Sequence, residues 1–176
     1  MADRMAAEIW IGGKLPCSLV GEFPISELRL DWDLTPFDST SEEGILNARD
    51  ENGLLHFADC EAAYGEFKEL EGWLREHNIP FQRQSSGKYE YDPCFMEFRP
   101  DLPGTPDRNT LTTQEGAPVI CHEEIAKAMQ SMAKLVKDQK RSETKRLQAW
   151  ERIYSKLNRL IPPTLPPLPK FEIVDG

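Results

Sequence analysis

The chain has 176 residues, 39% of them hydrophobic, and a formal net charge of −9. This length allows one domain of ordinary size plus an appendage and leaves little room for two full domains. The charge is unevenly divided: residues 1–122 carry 23 acidic and 10 basic side chains, whereas residues 123–176 carry 7 and 11. The first part repels nucleic acid and anionic membranes, so a phosphate-binding role is expected only in the second part.

Four cysteines occur in a chain that is large enough to fold without disulfides: Cys17, Cys60, Cys94 and Cys121. This favours a reduced, cytoplasmic protein. The first residues lack the basic segment and apolar block of a secretory signal, and no apolar run approaches the roughly 18 residues of a membrane span. We therefore expect a soluble protein with no membrane partner.

The first third of the chain gives weak signals of regular structure. Residues 8–11 precede Gly12-Gly13 and predict a short strand that ends in a turn. Residues 34–53 are polar and rich in turn residues, which predicts a long loop.

Residues 54–98 predict a β-strand, an α-helix and two further strands, a βαββ unit. Residues 54–58 are an apolar strand, and Asp59 stands where a helix would be N-capped. The helix is expected to end near Asn78, because Pro80 disfavours helix at the preceding residue. Residues 81–84 and 88–98 then alternate as two strands around a turn. The apolar stripe of the helix has steps of four, three and four residues: Ala63, Phe67, Leu70 and Leu74.

Two glycines occur within this predicted helix, Gly65 and Gly72. Each costs about 1 kcal/mol relative to alanine in a helix interior. Their presence indicates a close approach of another segment, either the chain's own or a partner's.

The predicted fold is α/β (α+β), with two layers: a mixed sheet of four or five strands and helices largely on one face. Residues 1–98 form this acidic domain, and the prolines of residues 99–118 predict a linker. Residues 119–161 predict a helical arm. Residues 162–176 are a polyproline tail followed by a possible short strand.

The helical arm has two apolar stripes separated by a polar, basic middle. As a single helix it would be about 60 Å long, so it either projects from the domain or folds back as a helical hairpin. The first stripe is Ile125, Met129, Met132 and Val136, and the second is Leu147, Trp150, Tyr154, Leu157 and Ile161.

The sequence predicts no catalytic, cofactor or metal site. His56, Cys60 and the Cys121-His122 pair suggest zinc, but residues 56 and 60 on one strand would lie about 13 Å apart. Asp59 and Glu61 flank Cys60 and favour its neutral thiol over the reactive thiolate. There is also no glycine-rich phosphate loop and no nucleophile elbow.

We therefore expect a non-enzymatic binding or regulatory protein that acts through protein association, possible variants being an acidic inhibitor that mimics nucleic acid and a homo-oligomer. The first alternative is a nucleic-acid-binding protein that uses the basic arm and a tyrosine hairpin. The second alternative is a thiol- or metal-dependent enzyme. The candidate partner-binding residues are Trp150, Tyr154, Leu157, Lys140, Arg141, Lys145 and Arg146. The candidate base-stacking residues are Tyr89, Tyr91, Arg83 and Lys88.

Overall fold

The computed structural model describes residues 3–25, 28–30, 32, 35–88, 90–102, 106–120, 122–138, 142–160 and 165–175. The chain divides into two compact units. The first, here called the body, is Met1–Ala117 with Pro166–Gly176; the second, here called the hairpin, is Pro118–Leu165. Their sequences carry opposite formal charges, −14 for the body (11 basic, 25 acidic) and +5 for the hairpin (10 basic, 5 acidic).

The elements follow in chain order. The strands are β1 (Arg4–Ile11), β2 (Gly13–Pro16), β3 (Leu55–Ala63), β4 (Phe81–Ser85), β5 (Cys94–Phe98), β6 (Asp107–Leu111) and β7 (Phe171–Val174). The α-helices are α1 (Glu42–Asn47), α2 (Lys68–Glu76), α3 (His122–Lys137) and α4 (Glu143–Leu160), and Cys17–Glu22 is a 3₁₀ helix.

The body contains a five-stranded sheet with the strand order β3-β1-β4-β5-β6. The predicted α+β class is confirmed, and so is the order of strand, helix, strand and strand in the βαββ unit. The sheet is not mixed, because all four neighbouring pairs in it are antiparallel. Parallel pairing occurs instead between β2 and β7 in a separate two-stranded sheet. Since β3 and β4 are both antiparallel to β1, they run parallel to each other with β1 between them.

One face of the five-stranded sheet forms the core together with α2. Ile9 pairs with Phe57 on one side, and Ile11 pairs with Phe81 on the other, so these side chains share one face. All four are fully buried. The apolar residues of α2 that cover them include Leu70 and Leu74.

The junction of β3 and α2 differs from the prediction. Ala63 belongs to β3, where it pairs with Arg4 of the neighbouring strand β1, and not to the helix. The chain then turns through Tyr64 and Gly65 with φ values of 57° and 66°, and α2 begins at Lys68. The end of α2 is as predicted, since Glu76 is its last residue and Asn78 has a φ of 55°.

Two other predicted boundaries are wrong. The long aromatic strand over residues 88–98 is shorter, because β5 begins only at Cys94. Pro93 has no backbone N–H to donate to a ladder, and Lys88 and Tyr91 bond to each other in a turn instead. The predicted loop over residues 34–53 contains α1, whose first turn is capped by Ser41 accepting a bond from the Gly44 N–H.

The predicted linker and tail both contribute to the body. The linker contains β6, which pairs with β5 along its whole length. The possible strand of the tail is present as β7, and Phe171 at its start is fully buried. The Arg99 side chain also donates a hydrogen bond to the Pro166 carbonyl oxygen at 2.8 Å. The tail therefore returns to the body.

In the second unit α3 and α4 contact each other, so the arm is a helical hairpin and not one long helix. The connection between them lies at residues 138–142, of which 139–141 are outside the described residues. Across the described ranges, no helix combines the length and the apolar character that crossing a membrane requires.

Candidate protein-interaction surface

The two helices of the hairpin contact each other, and each has a line of apolar side chains that are less exposed than their neighbours. On α3 most of these positions recur at steps of three and four residues, and Ala128 is the most buried. Such spacing is expected along the line of contact between two helices that pack side by side, here called the helix-helix seam. The apolar residues that are buried or half-buried are Ile125, Ala126, Ala128, Met132 and Leu135 on α3, and Ala149, Ile153, Leu157 and Leu160 on α4.

A second apolar stripe on each helix remains exposed. Met129 and Val136 of α3 are 62% and 76% exposed, and Leu147 of α4 is 57% exposed. Trp150 and Tyr154 are 44% and 47% exposed, and their rings stack with centroids 5.1 Å apart and an interplanar angle of 7°. The predicted stripes therefore mix two faces, one turned to the partner helix and one turned outward.

The exposed stripes of the two helices lie on the same side of the hairpin. Val136, Leu147 and Trp150 line one shallow, mostly apolar cleft of about 310 Å³ near the connection. In an antiparallel hairpin the following turns of α4 run back along α3, which brings Tyr154 towards the level of Met129. We call this set the aromatic stripe: Met129, Val136, Leu147, Trp150 and Tyr154.

The basic residues predicted at the arm differ in position. Arg146 is half-buried and lines the cleft together with Trp150, whereas Lys145 is exposed. Lys140 and Arg141 lie outside the described residues. The predicted anchor Leu157 is less exposed than Trp150 and Tyr154, and it lies on the same side of α4 as Ile153, outside the exposed stripe.

The predicted base-stacking surface loses one of its four members. Arg83 is buried, with 6% of its side chain exposed, and its Nε lies 3.0 Å from Oε1 of Glu71. Its Nη1 donates to the Gly65 carbonyl oxygen. The alternation of residues 81–84 correctly predicts a strand. Arg83, however, lies on the core face of that strand and is not available to a nucleic acid.

Of the remaining members, Tyr91 and Lys88 lie in one turn, and the acidic residues Asp3 and Glu90 are near Tyr91. Tyr91 contacts Tyr64, with ring centroids 6.0 Å apart, and Tyr89 is outside the described residues. Burial, followed by the negative charges of Asp3 and Glu90, raises the pKa of Tyr91 above its ordinary value. Lys88 bonds through its backbone to Tyr91 in the same turn. These acidic surroundings disfavour phosphate.

Among the residues considered for a thiol or metal site, His56 contacts other side chains. The Nε2 atom of His56 lies 3.0 Å from Oε2 of Glu8, and the His56 ring stacks on Trp10. Cys60 is exposed, and Cys121 is outside the described residues. Among the residues with described positions, no group of three histidine, cysteine or acidic side chains could hold a metal ion.

The aromatic stripe was only partly predictable from the sequence. The sequence identified Trp150 and Tyr154 from size and helical spacing. It did not separate Leu157 from them, because one stripe of large apolar residues serves two faces of the same helix. Comparison of the chain with protein-family models, with curated protein sequences and with solved structures finds no match.

Proposed function

We propose that this protein is a non-enzymatic binding protein whose hairpin captures a partner protein through the aromatic stripe. The observation that carries the proposal is the exposed, stacked Trp150–Tyr154 pair beside Val136 and Leu147. Contiguous exposed apolar surface is uncommon on monomeric proteins and typically marks an interface. Tryptophan and tyrosine are also enriched among the residues that dominate binding energy.

The chemistry of the partner follows from the charge of the hairpin. The hairpin carries a formal charge of +5, although the cleft itself is lined by one basic and one acidic side chain, Arg146 and Glu143. The partner is therefore a protein with an apolar ridge surrounded by acidic side chains, such as an acidic amphipathic helix. Its association rate falls as salt screens these charges.

The test cannot remove the end of the chain, because β7 and Phe171 belong to the body. Tagged full-length protein is compared with the variant W150A/Y154A in capture from an extract of the native host. A matched control is Q148A/S155A, which changes two exposed residues on the outer side of the same helix. We expect proteins that are retained by wild type and by the control and are lost from W150A/Y154A.

A second candidate function is suggested by the body, whose charge of −14 could mimic nucleic acid in the basic groove of a nucleic-acid enzyme. Binding of this kind would be displaced by duplex DNA and abolished by high salt. It would be unaffected by W150A/Y154A, and this separates it from capture by the hairpin.

A further inference from the structure

The strand β6 lies at the edge of the five-stranded sheet, with β5 as its only neighbour in the strand order. It is paired with β5 in an unbroken register from Phe98 opposite Asp107 to Cys94 opposite Leu111. It contains no proline and no bulge, two of the features that commonly prevent edge strands from pairing with another chain, and its charged residues are Asp107 and Arg108.

Some backbone N–H and C=O groups of β6 point away from β5, and the hydrogen bonds at the two ends of the strand show which ones. Beyond one end the Arg99 N–H donates to the Pro106 carbonyl at 2.8 Å, and beyond the other the Thr112 N–H donates to the Pro93 carbonyl at 2.9 Å. In an antiparallel pair every second residue bonds to the neighbouring strand. Those of β6 that bond to β5 are therefore Arg108 and Thr110.

The alternate residues direct both N–H and C=O away from β5: Asp107, Asn109 and Leu111. Within the described part of the body, no other backbone group bonds to these six atoms. Their side chains are exposed, and Leu111 is 52% exposed, a high value for a leucine in a strand.

We propose that β6 pairs with β6 of a second copy of this chain, so that two five-stranded sheets join into one continuous sheet. A two-fold axis through Asn109 places Asn109 opposite Asn109 of the second copy. It also places Asp107 opposite Leu111 of the second copy, and the reverse. Every residue with outward backbone groups then faces another such residue, and all six hydrogen bonds form. A shift by one residue would place outward groups opposite inward ones.

The side chains accept this register. Arg108 lies opposite Thr110 of the second copy, so no two like charges are directly opposite each other. The two Asn109 amides can exchange hydrogen bonds across the axis. Leu111 of each copy is covered by the neighbouring strand. Asp107 and Asn109 also line a groove between β6 and α2, together with Gly72 and Arg75.

The proposed contact between the two copies is small, and the net charges of the two chains oppose it. A strand pair of five residues buries less than the roughly 800 Å² per partner of a standard interface. Each chain also has a formal charge of −9, which repels the second copy. We therefore expect a monomer–dimer equilibrium that shifts towards dimer as salt rises. Rising salt should instead weaken the capture of an acidic partner by the hairpin, so the salt dependence distinguishes the two contacts.

Amide hydrogen exchange by NMR over a concentration series of the full chain tests the register directly. We expect the amides of Asp107, Asn109 and Leu111 to exchange rapidly at low concentration and to become protected as concentration rises. The amides of Arg108 and Thr110 should be protected throughout. The proposal would be overturned if the protection of Asp107, Asn109 and Leu111 did not rise with concentration relative to that of Arg108 and Thr110.

Sedimentation velocity of two variants at the same position provides the second measurement. The N109P variant removes an outward N–H without removing a bond to β5, and we expect its dimer dissociation constant to rise at least about tenfold. The N109V variant keeps the outward N–H and loses only the side-chain amide, so we expect its dissociation constant to rise clearly less than that of N109P. Thermal unfolding confirms that both variants are folded.

Three results would contradict the second-copy contact. One is wild-type protein that stays monomeric at the highest attainable concentration in high salt, which would leave the edge for another protein. Another is unchanged association of a folded N109P variant. The third is association that is lost in W150A/Y154A instead, which would place the contact on the hairpin.

Discussion

The Glu71 carboxylate and the Arg83 guanidinium form an ion pair beneath α2, with Oε1 3.0 Å from Nε and each side chain only 6% exposed. Glu71 also accepts a hydrogen bond from the Phe67 N–H at 3.1 Å, and Arg83 donates to the Gly65 carbonyl. The pair thus ties β4 to the turn before α2 and to the helix itself.

Removing one partner of this pair should strongly destabilise the body. The E71A variant leaves Arg83 as an uncompensated buried charge, which costs about 3–5 kcal/mol of unfolding free energy. The measurement is urea unfolding followed by circular dichroism. The double variant E71L/R83M removes both charges and should lose less stability than E71A. A loss below about 1 kcal/mol in E71A would show that the pair is not needed for folding.

The tail should be required for the stability of the body. Phe171 is fully buried and Leu168 is 8% exposed, so F171A is expected to cost about 3–5 kcal/mol. Thermal unfolding measures the change, with the substitution K170A at the exposed neighbouring position as its control. If F171A unfolded at the wild-type temperature, the tail would not be part of the core.

The two glycines near α2 should respond to alanine in opposite directions. At Gly65 φ is +66° and an added Cβ would lie 2.7 Å from Cβ of Ser85, so G65A should destabilise the protein by about 1–3 kcal/mol. At Gly72, inside α2, an added Cβ meets nothing within 4 Å. G72A should therefore stabilise the protein by about 1 kcal/mol. Chemical denaturation compares the two, and destabilisation by G72A would be the contrary result.

The reactivity of Cys17 should be limited by Glu42. The Cys17 thiol donates to Oε1 of Glu42 at 2.8 Å, and this bond, together with the carboxylate charge, raises the pKa of Cys17 above its ordinary value. Because the thiolate is the reacting form, E42Q should lower that pKa and speed alkylation of Cys17 at mildly alkaline pH. Peptide mass spectrometry after iodoacetamide treatment measures the rate. Labelling of Cys60 is the internal reference, and an unchanged Cys17 rate would remove the proposed role of Glu42.

The local sequence pattern was sufficient to predict many of the strands and helix ends of the body. The apolar run of β3, the alternation of β4 and the proline after α2 each follow from the period and chemistry of their own segment. The start of α2 was misplaced, because Ala63, Phe67 and Leu70 have helical spacing whether or not Ala63 is helical. Ala63 is part of β3 because it pairs with Arg4, and the local sequence does not reveal a contact between residues so far apart in the chain.

The errors elsewhere have a similar cause. β6 is a polar segment between prolines, and as an edge strand it has little apolar burial to mark it. Nothing near Arg83 in the sequence indicates that its partner is Glu71, twelve positions earlier on another element. In the hairpin, helical spacing shows that α4 has an apolar side. It does not show that the Ile153 side is covered and the Trp150 side is exposed.

Capture by the aromatic stripe is the central claim, and the most direct measurement is the affinity of an identified partner for three forms of the full chain. Calorimetric titration would compare wild type, W150A/Y154A and the control Q148A/S155A. We expect W150A/Y154A to lose at least about 2 kcal/mol of binding free energy, roughly 30-fold in affinity, while the control binds like wild type. Equal binding by all three forms would contradict the claim.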